Sequence, residues 1–302
     1  MILITGSEGL IGSALTASLE AAKIGVRRFD IRRSALEDIR NRDAVAKALD
    51  DAEGVEGVVH LAAVSRVIWG ERDPVLCRDT NVDALRQVLA LCADRVVRPW
   101  FVFASSREVY GNCPDGLTSE DAPARPLNVY ARTKHEGETL VGEATRCGML
   151  AQICRFSSVY GSTNDHPDRV AMAFADAAAR GGTIRIEGAA NTFDFTSLRD
   201  VVRGVRSVID CCARGEQLPP VHFVSGEGTS LGRLAEIALN KARAPVSVRQ
   251  AAPRDFDAGH CVGDPARAAA LLGWRAEVPI QDGMDDLIAR IAAQDVGDVP
   301  NI

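Results

Sequence analysis

The chain opens MILITGSEGLIG, an apolar strand pattern that runs into glycines at positions 6, 9 and 12 and then into a helical pattern. Glycines in this setting permit a turn too tight for a side chain, and they let backbone N–H groups at a positive helix end approach an anion. A strand, a glycine turn and a helix in that order predict the first unit of a parallel sheet. The spacing is G-x-x-G-x-x-G rather than G-x-G-x-x-G. Asp30 closes the second apolar run, VRRFD at 26–30, about 20 residues after the turn, where an acidic side chain can accept from an adenosine ribose. A carboxylate there favours NAD, because it hydrogen-bonds a 2′-hydroxyl and repels a 2′-phosphate. Arg32 and Arg33 follow at once and leave NADP as the alternative.

Beyond the turn, short apolar runs (GVVHLAA at 57–63, WFVFASS at 100–106, LAQICRF at 150–156) alternate with amphipathic stretches such as 78–97 and 128–147. This alternation predicts an α/β chain, a Rossmann-type doubly wound parallel sheet. The last third changes pattern: TIRIEG (183–188), FDFTS (193–197), a helical DVVRGVRSVIDCC (200–212), VHFVS (221–225) and helical runs near 230–242 and 264–272. The predicted division is a dinucleotide-binding domain over 1–160, with 190–225 returning to it, and a smaller C-terminal substrate-binding lobe from 161–189 and 226–302.

A formal net charge of -6 argues against a nucleic-acid partner, since backbone binding needs clustered Lys and Arg. The eight cysteines include no C-x-x-C pair and no ligand-like spacing to the five histidines, so neither a metal site nor a disulfide framework is expected. The first strand begins at Met1, and no apolar run approaches the roughly 18 residues of a membrane span. The expected setting is a reducing cytoplasm with no membrane partner.

Catalytic chemistry is legible in two places. NVYARTKHEGE at 128–138 sets Tyr130 and Lys134 four apart on a helical pattern, hence on one face, where an ammonium favours the phenolate and lowers the tyrosine's pKa. FVFASSREVYG at 101–111 is a buried-strand pattern that ends in hydroxyls and charges. Sites on parallel sheets form at the carboxyl ends of strands, so Ser106 is placed to hold an oxygen whose proton Tyr130 removes.

Taken in order, TGSEGLIG, Asp30, Asp38-Ile39, HLAA at 60–63, Asn81 in TNVDAL, SSREVYG, YARTK at 130–134, RFSSVYG at 155–161, DFTSLRDV at 194–201 and PRDFD…GDPARAAALLGW at 253–274 span nearly the whole chain. This series resembles the extended short-chain dehydrogenase/reductases, specifically the NAD-dependent epimerase/dehydratase group that acts on nucleotide sugars. The resemblance implies dinucleotide contacts at Gly6, Gly9, Leu10, Ile11, Gly12, Asp30, Ile31, Arg32, Asp38, Ile39, Leu61, Ala62, Ala63, Asn81, Tyr130, Lys134 and Phe156. It assigns Tyr130 as acid/base, Lys134 as its pKa modifier and ribose ligand, and Ser106 as the hydroxyl that orients the sugar's 4-oxygen. Hydride would pass from carbon 4 to NAD, and the resulting 4-keto sugar would accept it back on its other face, as in a 4-epimerase.

Substrate contacts are expected at Arg66, Ser106, Arg107, Glu108, Ser158 and Arg254, with Arg66 and Trp69 in the overhanging segment 64–80. The chain departs from the group in three ways. Similar dehydratases carry an Asp-Glu pair after the catalytic hydroxyl, where this chain has Arg107-Glu108. Arginine cannot act as the missing acid, which disfavours 4,6-dehydration. UDP-glucuronate decarboxylases retain the glutamate, so Arg107 in that alternative would face a carboxylate. Ser158 stands where the group commonly has Asn, and Phe193 where it often has Arg, which leaves Arg254 as the diphosphate candidate. A keto-sugar reductase and a non-catalytic dinucleotide sensor complete the alternatives. Helices at 78–97 and 128–147 resemble those of a four-helix interface in relatives and imply a homodimer.

Overall fold

The structure, a computed structural model, describes residues 1–50, 54–113 and 116–297. In chain order the strands are β1 (Ile2–Thr5), β2 (Val26–Phe29), β3 (Gly57–His60), β4 (Trp100–Ser106), β5 (Leu117–Thr118), β6 (Ala151–Phe156), β7 (Ser158–Tyr160), β8 (Gly182–Glu187), β9 (Thr192–Ser197), β10 (Val221–Phe223), β11 (Gly228–Ser230), β12 (Val246–Ala251) and β13 (His260–Gly263). The helices are α1 (Leu10–Ala21), α2 (Arg42–Leu49), α3 (Val67–Arg72), α4 (Pro74–Arg78), α5 (Ala84–Ala93), α6 (Val129–Arg146), α7 (Val170–Arg180), α8 (Leu198–Ala213), α9 (Leu231–Asn240), α10 (Ala266–Leu272) and α11 (Ile280–Gly297).

Six strands form a sheet in the order β10-β6-β4-β3-β1-β2, and every pairing is parallel. The unbroken apolar runs of β1 and β4 are explained by this placement: every residue of both strands is buried, which requires cover on both faces. On one face α1 and α8 bury Leu15, Leu19, Val201, Val205 and Val208 against Ile4, Val102 and Phe223. On the other, α2, α5 and α6 bury Val45, Leu85, Val88 and Val141 against Leu3, Val58 and Phe101. The chain leaves β1 in one direction for β2 and returns on the other side as β3, so a crevice opens at the carboxyl ends of β1 and β3, where a ligand is expected in a doubly wound sheet.

A second core joins α7, α9 and α11 with β8 and β9 through Phe174, Ile184, Ile186, Phe195, Leu234 and Ile288. The two bodies are stitched at Asp194. This fully buried carboxylate accepts from Ser225 N (2.8 Å), Gly226 N (2.7 Å), Thr196 Oγ1 (2.9 Å) and Ser157 Oγ (3.1 Å). The division expected from sequence needs one correction. Ala268 of α10 and Trp274 pack with the sheet core, Trp274 edge-on to Phe223 and donating from Nε1 to Asp200 O (2.9 Å), so part of the 226–302 span belongs to the first body. Residues 298–302 of that span lie outside the described residues.

The cysteines expected to form no disulfide framework nevertheless include one pair: Cys113 and Cys261 are bonded, with Cα atoms 4.9 Å apart and a sequence separation of 148. A pairing at that separation leaves no spacing signature in sequence; it follows from the backbone, where Cys113 N donates to His260 O (2.9 Å).

Two buried histidines set the acid limit of the fold. His60 stacks near the rings of Phe101 and Phe103 with Nδ1 3.0 Å from Thr5 Oγ1, and burial lowers its pKa to about 3. His222 has Nε2 2.6 Å from Tyr110 Oη, and burial, helped by Arg155, lowers it to about 4. Both are neutral when folded and protonate from about 6.5 when unfolded, so the unfolded state binds more protons below that pH. Stability is therefore expected to fall as the pH drops from about 6.5 to 4, by on the order of 3 kcal/mol for each histidine. Urea melts at pH 7 and 4.5 check this; coincident midpoints would contradict it.

Candidate active site

A cavity of about 890 Å³ runs from the glycine turn, past the ends of β3, β4 and β6, to the second body. Gly6 adopts φ +73, and a Cβ there would sit 2.6 Å from Ala62 N; a Cβ on Gly12 would sit 2.1 Å from Gly6 O. The turn has room for backbone alone. No side chain caps the start of α1, so its first N–H groups face the cavity, an arrangement suited to a pyrophosphate. Asp30 directly follows β2 and is 8 % exposed; Oδ2 accepts from Glu8 N (2.9 Å) and Oδ1 from Arg32 N (2.8 Å), which fixes the carboxylate at the cavity edge. These residues fit the adenosine and diphosphate of a dinucleotide. Replacing Asp30 with Asn removes the charge that repels a 2′-phosphate, and the ratio of NAD to NADP affinity is expected to fall at least about tenfold. Fluorescence titration with both reduced cofactors measures it, and an unchanged ratio would assign the discrimination elsewhere.

The proposed catalytic groups converge from two elements. Helix α6 starts at Asn128, whose Oδ1 accepts from Ala131 N (2.8 Å), and its next turns present Tyr130 and Lys134 inward, both buried. In β4 the strand period separates the paired serines. Ser105 turns to Glu138, donating to Oε1 (2.5 Å), whereas Ser106 borders the cavity with Tyr130 and accepts from Glu108 N (3.2 Å).

The expected electrostatics are corrected in one respect. Burial pushes the Tyr130 phenol up to about 12, with the Ser106 hydroxyl pulling the other way. Burial also lowers Lys134 to about 8, and its Nζ donates to Ala104 O (2.8 Å), 5.9 Å from the centre of the Tyr130 ring. Helical spacing sets which face a side chain takes; the depth of that face below the surface decides the pKa.

All the expected cofactor and substrate residues line this one cavity except Asn81. Asn81 sits in a π-helical turn (Asp79–Asp83), buried, with Oδ1 accepting from Val64 N (2.8 Å) and Nδ2 donating to Val64 O (3.1 Å) and Thr133 Oγ1 (2.9 Å). It ties the segment after β3 to α6 and so positions Tyr130 from behind. Arg66 pairs with Asp168 and lies 5.7 Å from the centre of the Trp69 ring, while Arg254 pairs with Asp257 (2.6 Å). Arg107 pairs with Glu108 (2.9 Å), and Glu108 in turn accepts from Asn128 Nδ2 (3.1 Å). Ser158 opens β7 beside Phe195. Sequence reading missed Asp165, Asp168 and Arg169, which reach the cavity from the segment before α7, and Arg185 in β8, although its alternating pattern, TIRIE, could have exposed it. In this structure each of Arg66, Arg107, Arg169, Arg185 and Arg254 already has a carboxylate partner.

Residues 2–223 match the NAD dependent epimerase/dehydratase family. The chain belongs to it. Over 97% of its length it is 28% identical to an uncharacterized UDP-glucose epimerase, YtcB of Bacillus subtilis, and covers 98% of that protein. Its structure superposes on the UDP-glucuronic acid 4-epimerase of Bacillus cereus, solved with UDP-glucuronic acid and NAD, with a TM-score of 0.86 at 25% identity over 97% of this chain and 99% of the other. It matches TunA, an NAD-dependent NDP-hexosamine 5,6-dehydratase of tunicamycin biosynthesis, with a TM-score of 0.86 at 29% identity over 98% and 99%. The fold is that of the extended short-chain dehydrogenase/reductases. Among the described residues no helix is long and apolar enough to cross a membrane, and no group of acidic, His and Cys side chains could hold a metal.

Proposed function

We propose that this protein is an NAD-dependent nucleotide-sugar 4-epimerase. The observation that carries the reading is that Ser106, Tyr130 and Lys134 share one cavity with the uncapped start of α1 and Asp30. NAD, when bound, accepts a hydride from carbon 4 of the sugar and returns it. Tyr130 takes the 4-hydroxyl proton and later gives it back, Ser106 holds the 4-oxygen in line, and the Lys134 ammonium offsets the charge on the phenolate. Because hydride and proton both return, the reaction has no net redox change.

Arg107 stands where the dehydratases this chain resembles carry their acid, and a guanidinium does not release a proton at neutral pH, which supports epimerisation over water loss. The test is incubation with UDP-, dTDP-, GDP- and CDP-sugars followed by mass and proton NMR. Unchanged mass with inverted carbon 4 is the expected result. Loss of carbon dioxide or of water, or stoichiometric consumption of reduced cofactor, would replace this reading with a decarboxylase, a dehydratase or a reductase. A homodimer through the adjoining outer faces of α5 and α6, where Arg86, Ala90, Arg132, His135 and Thr139 are exposed, belongs to the same proposal. Sedimentation tests it.

A further inference from the structure

Tyr130, Lys134 and Glu138 stand one turn apart on the face of α6 that meets β4, and all three are buried. The first two belong to the proposed chemistry, whereas Glu138 is not among the residues that line the cavity. Its carboxylate is gripped from the sheet. Arg155 donates from Nε to Oε1 (2.8 Å) and from Nη2 to Oε2 (2.7 Å), and Ser105 donates to Oε1 (2.5 Å). Ser105 and Arg155 are paired across β4 and β6, so the two donors rise side by side from one face of the sheet. Arg155 Nη1 is held in turn, donating to Glu120 O (2.7 Å) and to Tyr110 Oη. Gly137 lets α6 lie directly on the sheet, since a Cβ there would sit 2.6 Å from Phe103 Cζ.

A buried ion pair adds little net stability over a well-packed apolar pair, and its best-attested use is to fix register. We infer that Glu138 is a positioning residue: clamped by Arg155 and Ser105, it fixes the register of α6 on β4 and so holds the Lys134 ammonium beside Tyr130. Consecutive positions of β4 carry the register. Ala104 O accepts from Lys134 Nζ (2.8 Å), Ser105 Oγ meets Glu138, and Ser106 borders the cavity with Tyr130. A slide of α6 by about 1 Å disturbs all three, and an error of that size at a reacting group costs about 100-fold in rate. Charge acts in the same sense. The titratable groups that face Lys134 are Tyr130 and Glu138 on α6, Cys77 on α4 and His60 on β3, with Arg155 of β6 behind Glu138. Burial keeps Tyr130 and Cys77 protonated and His60 neutral near pH 7. Glu138 therefore supplies the negative charge that opposes the desolvation of Lys134.

The inference rests on the epimerase reading for the chemistry that Lys134 serves, so one arm of the experiment needs no turnover. In NAD-loaded enzyme carrying isotope-labelled lysine, NMR follows the Lys134 Cε resonance with pH. Glu138→Gln is expected to lower its midpoint by about one unit, and Glu138→Asp to restore part of the shift. The second arm uses the nucleotide sugar that wild type turns over best among UDP-, dTDP-, GDP- and CDP-sugars. Glu138→Gln is expected to lower kcat at least about tenfold at pH 7.5 with KM within about threefold. The gap to wild type is expected to narrow as the pH falls, because Lys134 regains its proton. Glu138→Leu combined with Arg155→Leu removes the ion pair without stranding a charge; it is expected to keep Tm within about 5 °C of wild type and still lose at least about tenfold in kcat. An unmoved Lys134 midpoint in Glu138→Gln, wild-type kcat in the double variant, or loss of folding in both would make Glu138 a structural group and overturn the inference. A wild type that turns over no nucleotide sugar sinks the epimerase reading alone, since the midpoint is read without substrate and still decides the role of Glu138.

Discussion

Changing Tyr130 to phenylalanine is expected to lower kcat by about three orders of magnitude while NAD stays bound. The phenol oxygen is the proposed proton acceptor for the sugar's 4-hydroxyl, and a positioned acid–base group is worth about 10²–10⁴-fold. Phenylalanine fills the same buried space at the start of α6, so the loss falls on chemistry and not on packing. Tyr130 stands at about 12 in this structure because it is buried, and Lys134 at about 8, so the phenol is a poor base until further positive charge arrives beside it. An oxidised nicotinamide carries such a charge. The rate should accordingly rise with pH through the Tyr130 ionisation of the ternary complex, and this limb should vanish in the phenylalanine variant. Steady-state rates over pH 6–9 together with the absorbance of bound cofactor measure both; a variant that keeps more than a tenth of wild-type kcat would remove Tyr130 from the mechanism.

The second large effect is expected at the glycine turn. Gly12→Val would put a Cβ 2.1 Å from Gly6 O, a contact that cannot form without moving backbone. The turn must open, the first N–H groups of α1 swing away from the pyrophosphate position, and NAD affinity is expected to fall at least about 100-fold. The proposed substrate contacts Arg66, Ser158 and Arg254 are not part of this turn, so a uridine nucleotide should still raise the melting temperature of a folded variant. Isothermal titration with NAD and with UDP distinguishes the outcomes: wild-type NAD affinity in the variant would show that the dinucleotide does not sit on this turn. Circular dichroism establishes whether the variant is folded.

The local features that the sequence made legible share a physical cause. Parallel strands buried on both faces must be apolar throughout, which marked β1, β3, β4 and β6 as runs. A backbone that approaches an anion excludes side chains, which marked Gly6, Gly9 and Gly12. Helical periodicity put Tyr130 and Lys134 on one face without any knowledge of what that face meets. Asn81 shows the limit of such local signals. Its motif is local, but whether it meets a ligand or the back of α6 depends on the path of Val64, 17 residues away in sequence.

What the tertiary structure alone decided is whatever joins distant segments. Cys113 meets Cys261, Arg66 meets Asp168, Arg107 stacks on Phe193, and Asp194 gathers donors from β6's end and from Ser225 and Gly226; none of these pairs has a period or a spacing that a strand or helix imposes. The same holds for the pKa of Tyr130, because desolvation depends on how much protein lies above a residue and not on its neighbours in the chain. The sequence alone determined the parallel sheet, the glycine turn that opens it and the candidate reacting side chains, since those follow from backbone sterics and side-chain periodicity. Only the tertiary structure decided how deeply Tyr130 and Lys134 are buried and that Arg66 meets Asp168, since both depend on contacts between segments far apart in the chain.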